Sequence, residues 1–212
     1  MLSADAIIDL HYRKTVAWHQ LSEPGNQNAS ETEADLWLQA VARQHRANFD
    51  LWHIEDEARD PGATDADLAR VKRKIDRTNQ LRNDLAEELD RTLLQWLDAQ
   101  QLPNPRAPLN SESPGLMIDR LSILALKIYH TREEASRPAA EQGHAERNLK
   151  RLAILQSQRD DLAGCLDDLW RETLAGMRQF KLYRQLKMYN DPSLNPVVYR
   201  KVASQGQGHS SS

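Results

Sequence analysis

Apolar positions recur three and four residues apart in long runs, and a few strong breakers separate the runs, so the chain reads as helices. Ile7, Ile8, Tyr12 and Trp18 mark a first helix from about Ser3 to Gln20, which Glu23-Pro24-Gly25-Asn26 ends. A second is expected to start at Ser30, with Glu33 at the capping-box position, and to run to Asp60-Pro61-Gly62. Thr64 repeats the device with Asp67 and opens a third helix, which continues to about Gln100. There Leu102-Pro103-Asn104-Pro105 and Pro108 impose an extended connector. Ser113-Pro114-Gly115 opens a fourth helix, with proline tolerated in the first turn, and Arg137-Pro138 closes it. A fifth is expected from about Ala139 to Tyr189 with a break near Gly176; Leu152, Leu155, Leu162, Leu166, Leu169, Leu174 and Met177 form its buried stripe. The pattern predicts an all-α, single-domain bundle of about five or six helices, some long, over residues 1–200, with 201–212 a disordered tail.

Composition agrees. A chain of 212 residues, 40% hydrophobic, can bury one substantial core, and 8 Gly and 9 Pro are too few for many short strands joined by turns. A net charge of -3, from 28 basic and 31 acidic residues, creates no field that would draw the protein onto nucleic acid. No apolar run reaches membrane-spanning length, and MLSADAIIDLHYRK lacks the order of a signal peptide, so the protein is expected to be cytoplasmic, without membrane insertion. Cys165, flanked by Leu162, Leu166 and Leu169, reads as a core thiol in a reducing compartment. The glycine-rich phosphate loop, CxxC, HExxH and GxSxG are all missing, which argues against the common nucleotide folds and hydrolases.

Charge placed inside helices carries the functional signal. At roughly 100° per residue, Asp76, Asn79, Gln80, Asn83, Glu87 and Asp90 share one stripe of the third helix, with Leu81, Leu85, Leu89 and Trp96 opposite. Amides at adjacent turns are poor helix formers that serve hydrogen bonding, so the stripe reads as either a solvated outer face or, as the amides favour, one wall of a polar site. Arg82 points to the apolar side, where it needs an acidic partner. The fourth helix is apolar on nearly every side and therefore central, yet Asp119, Arg120, Lys127 and His130 fall within one arc of about 100°. Charges there must be paired or face a polar cavity. On the second helix His45, Asn48, Trp52, Asp56 and Arg59 share a side, and His53 has metal-ligand spacing to Asp56 or Glu57. The basic segment from Arg171 to Lys201 suits a small anion, with Arg184 and Lys187 as its candidates, better than nucleic acid.

The strings LWHIEDEAR (Leu51 to Arg59), IDRTNQLRNDLAEELD (Ile75 to Asp90), PGLMIDRLSILALKIYH (Pro114 to His130) and RQLKMYNDPSLNP (Arg184 to Pro196) resemble, in order, segments of a bacterial family. It is catalogued as domain of unknown function 4254, and the resemblance covers about residues 45 to 200. Members are often encoded near glycosyltransferases of cell-surface polysaccharide synthesis. The resemblance implies that the polar stripe, the charged arc and the KMYNDP segment form one pattern that converges in space.

On that reading Asn79, Gln80, Asn83, Arg120, Lys127 and Lys187 hold a phosphorylated or carboxylated small molecule, such as a nucleotide or nucleotide sugar. Asp119 and His130 are the catalytic candidates, moving a proton. Glu55-Asp56 and Glu87-Glu-Leu-Asp90 echo the carboxylate motifs of helical nucleotide pyrophosphohydrolases, which makes Asp56, Glu87 and Asp90 candidate Mg2+ ligands. Arg59 stands where that motif needs an acid. A fainter echo is the metal-free, Arg- and Lys-lined site of the chorismate-mutase type. The expected function is a helical enzyme or binding protein for an anionic metabolite. The alternatives are a helical scaffold for glycan-synthesis enzymes, homo-oligomeric or partnered with glycosyltransferases, and a Mg2+-dependent pyrophosphohydrolase.

Overall fold

Long apolar-periodic runs become helices where their ends are capped, and the caps decide the boundaries here. The computed structural model describes residues 2–20, 33–138, 140–184, 186 and 193–196. Among these, five helices form: α1 (Ala4–Gln20), α2 (Glu33–Glu57), α3 (Asp65–Asp98), α4 (Pro114–Ala135) and α5 (His144–Leu174). No strand forms among the described residues; Leu109 and Gln179 make one isolated parallel bridge. The fold is all-α, in a single domain.

Thr64 sits in extended backbone, its hydroxyl accepts from the Asp67 N–H, and the Asp67 carboxylate accepts from the Thr64 N–H at 3.2 Å, which closes the expected capping box of α3. The expected Ser30 cap lies outside the described residues. Pro114 opens α4 as anticipated, and the backbone N–H groups of its first turn are met from another helix. Asp90, at 2% exposure deep on α3, accepts the Gly115 N–H at 2.6 Å and the Ser113 hydroxyl. The two helices touch there: a Cβ built on Gly115 would lie 2.2 Å from the Ala86 carbonyl oxygen.

The fifth helix is shorter than expected. Gly143, with φ 78°, precedes its first residue, and Gly176, with φ 68°, follows Ala175 at its end. Gly176 therefore terminates α5 where a break inside a longer helix was expected. The chain then runs back beside the proline connector, with the Gln179 N–H donating to the Pro108 carbonyl and the Asn110 N–H to the Gln179 carbonyl. Lys187 and the whole of KMYNDP lie outside the described residues. Leu162, Leu166 and Leu169 are buried, but Leu174 and Met177 are 41% and 60% exposed. Cys165 is exposed too, contrary to the expected core thiol. The buried arc of α5 runs from Leu169 to Ala163, and Cys165 falls roughly 40° outside it.

The core is drawn from every helix: Ile7 and Leu10, Trp37 and Val41, Leu89 and Leu93, Ile118 and Leu121, Leu166 and Trp170, closed by Phe180 from the returning segment. Each such side chain contributes about 1.5–3 kcal/mol of burial energy. Helix α4 packs on all four others, the central place its composition demanded. Leu81, expected on the apolar side of α3, is 51% exposed and no helix covers it. The pairs Glu57–Lys74 and Arg43–Glu88 fix an antiparallel register between α2 and α3.

Candidate functional site

A polar network occupies the space between α2, α3 and α4. Asp119, at 8% exposure, accepts from Gln44 Nε2 at 2.6 Å and Asn48 Nδ2 at 2.9 Å, and Arg82 Nε stands 3.5 Å from the same oxygen. Arg82 thus has the acidic partner its position demanded. Burial raises the Asp119 pKa; the charge of Arg82 and the hydrogen bonds from Asn48 and Gln44 act the other way. Asn48 Nδ2 also donates to the Ser122 hydroxyl at 3.0 Å. His45 continues the chain: Nε2 reaches the His11 carbonyl at 3.1 Å, so Nε2 carries the proton and Nδ1 accepts from Ser122 at 2.7 Å. Burial pushes the His45 pKa down to about 3, and holds that of His11, stacked on it at 4.4 Å, well below its ordinary value. Both imidazoles are neutral structural groups near pH 7, so neither can act as a general acid there.

Over this network opens a cleft of about 420 Å3 lined by Asn48, Trp52, Glu55, Asp56, Arg59 and Arg82, together with Leu51, Ile123 and Leu126. The Arg82 side chain is only 24% exposed, and its Nε is buried without a hydrogen-bond partner among the described residues. Gln44 Oε1 and Asn83 Nδ2 are in the same condition. Arg59, just past the end of α2, is committed to Glu55 and Asp56 of that helix. Trp52 lies flat against the ring of His130 at 4.7 Å, with an interplanar angle of 11°.

That ring belongs to a second cluster. His19 from the last turn of α1, His53 from α2 and His130 from α4 bring one ring nitrogen each within 4.8 Å of one another. His19 Nδ1 meets the Thr15 carbonyl at 2.7 Å, and His130 Nδ1 meets Glu133 Oε2 at 2.9 Å. In both, Nε2 is buried and unpartnered among the described residues. The His53 pKa is lowered by burial and then by the charges of His19 and His130, with Asp56 and Asp50 opposing. Tyr129 stacks on His19 at 4.3 Å, and Phe49 meets both His19 and His53 edge-on.

The residues expected to converge do so only in part. The arc on α4 straddles two neighbours: Asp119 faces α2 and α3, while Arg120 and Lys127 line a cleft of about 610 Å3 toward α5, beside Gln158 and Asp161. Arg120 is held there by both oxygens of Glu112, at 2.7 and 2.8 Å. His130 lies eleven residues beyond Asp119, about 16 Å along the helix, and joins the imidazole cluster. The α3 stripe divides likewise. Asp76 pairs with Lys72 and Gln80 with Asp84 on the outer face, Asn79 is half-buried, and Asn83 and Asp90 are inside. Asp56, Glu87 and Asp90 do not form one Mg2+ centre. The α2–α3 register sets Asp56 level with residues near Lys74, so Glu87 and Asp90 lie about 18–22 Å further along α3. Both oxygens of Asp90 are engaged by Ser113 and Gly115, and burial lifts its pKa to about 6 against those hydrogen bonds.

His19 is the residue that sequence reasoning missed. It stands alone near the end of an amphipathic helix, and the only hint was that His53 and His130 each drew notice separately.

The matching family model, described as Protein of unknown function (DUF4254), covers residues 38–182, and the chain belongs to that family. No curated protein and no solved structure matches the chain.

Proposed function

We propose that this DUF4254 protein is a helical enzyme or binding protein for a phosphorylated or carboxylated small molecule, held in the cleft between α2, α3 and α4. One observation carries the reading: the Arg82 guanidinium is three-quarters buried at that cleft and is braced by Asp119 through Nε, at 3.5 Å, as an ion pair without a hydrogen bond. A rigid planar fork in a low-dielectric recess suits a carboxylate or phosphate, and the Trp52 wall suits the flat face of a base or sugar ring. Nucleotides, sugar phosphates and nucleotide sugars are the ligand classes to test, the last because glycan synthesis is the expected setting.

Calorimetric titration of these ligands, with and without Mg2+, should identify one that binds the parent protein. Arg82→Lys keeps the charge and loses the fork, and is expected to weaken that ligand about 10–100-fold, the worth of a charged hydrogen bond or two. Lys127→Ala should leave it unchanged. The reverse result would move the ligand to the α4–α5 cleft with Arg120 and Lys127. Failure of all three classes would favour the interaction-protein reading.

A further inference from the structure

We infer that His19, His53 and His130 form a binding site for a first-row divalent cation, Zn2+ foremost, that ties α1, α2 and α4 together and leaves a fourth coordination position for an exchangeable ligand. The site is distinct from the Arg82 cleft, which Trp52 separates from His130, and it stands whether or not that cleft binds an anion.

Three features of the cluster point to a metal. The ligand atoms lie within 4.8 Å of one another, where three nitrogens of a tetrahedral zinc site stand about 3.3 Å apart, so small side-chain rotations close the gap. Two rings are already oriented as metal ligands are. The Thr15 carbonyl accepts from His19 Nδ1, and Glu133 accepts from His130 Nδ1, which fixes the tautomer and leaves the Nε2 lone pair free. Those two Nε2 atoms are buried and meet no protein partner among the described residues, a costly arrangement unless a ligand reaches them. An aromatic cluster with Trp52, Tyr129 and Phe49 accounts for the ring contacts. It gives no reason for two buried, unpartnered Nε2 atoms within a trio of neighbouring imidazoles.

The donor set selects among cations. Three neutral imidazoles suit Zn2+, Co2+, Ni2+ or Cu2+, and give Mg2+ and Ca2+ none of the oxygens they require. Three protein ligands with a fourth position open is the arrangement of catalytic rather than structural zinc.

The test is titration of the full chain with ZnCl2 or CoCl2 alone, in a non-chelating buffer and without any anionic metabolite, so that its result is independent of the Arg82 reading. One equivalent is expected to bind. His19→Ala and His53→Ala should each weaken binding by more than 100-fold, and Glu133→Gln by roughly 10–100-fold, the usual effect of losing a group that orients a ligand. His144→Ala, a histidine held by Glu134 away from the cluster, should change nothing. Imidazole nitrogen NMR of the unsubstituted protein covers the case in which a variant does not fold, with Zn2+-induced shifts expected at His19, His53 and His130. Absence of binding, binding that survives both alanine variants, or shifts at other histidines would overturn the site.

Discussion

Gly115→Ala is expected to destabilise the protein by about 3 kcal/mol or more, in the upper range for overpacking. The added Cβ would stand 2.2 Å from the Ala86 carbonyl oxygen and 2.9 Å from Asp90 Cγ. Backbone cannot swing aside as a flexible side chain can, so α3 and α4 must separate. Separation also strips Asp90 from the first turn of α4, where it accepts from Ser113 and Gly115, and hydrogen bonds to a charged acceptor are each worth about 1.5–3 kcal/mol. For a domain of this size a loss of that order lowers Tm by roughly 6–12 °C. Urea denaturation read by circular dichroism gives the free energy directly. A variant within about 1 kcal/mol of the parent would mean that the helices do not approach as closely as Gly115 implies.

Asp119→Ala should cost a similar amount, about 3–5 kcal/mol, because removing one partner of a buried pair leaves the other uncompensated. Arg82 would lose its counter-charge, and the amides of Gln44 and Asn48 would lose their acceptor. The loss should depend on pH in a defined sense. With its pKa raised in the fold, the native Asp119 holds a proton to higher pH than the unfolded chain does, so its contribution is fullest below the ordinary carboxyl value and falls as pH rises through the raised one. The gap between parent and variant is therefore expected to be wider at pH 4 than at pH 7, measured by urea titration at both. A gap that narrows in acid would mean instead that Arg82, Asn48 and Gln44 together outweigh burial and hold Asp119 ionised. Adding Arg82→Met to Asp119→Ala should recover part of the stability, since an apolar pair avoids burying a lone charge.

Much of this architecture was readable before any coordinates, for local reasons. The capping box at Thr64, the proline at 114 and the breakers near 61 and 103 act over a few residues, so α3 and α4 stand where pattern placed them. The demand of Arg82 for an acid was also legible, because burial of a lone guanidinium is costly whatever the fold. What failed were inferences across helices. The arc on α4 was correctly drawn as an angle, yet which neighbour faces each edge of it depends on packing. Asp119 and Lys127 therefore part company toward α3 and α5. Asp56 and Asp90 looked like a ligand pair until the Glu57–Lys74 and Arg43–Glu88 contacts set the register of α2 against α3. The imidazole cluster is assembled from three helices, and no spacing within one of them encodes it.

Helix α1 bears on how the protein can be divided. The family segment opens at residue 38, after α1 ends at Gln20, yet α1 supplies Ile7 to the core, the Thr15 hydroxyl and His11 carbonyl to His45, and one imidazole of the trio. A fragment that starts at residue 38 would keep every conspicuous string of the sequence. It would also bare one side of α4 and reduce three histidines to two. The minimal autonomous unit therefore begins ahead of Ala4, and any excised version that starts later is a different object from the one whose binding is in question.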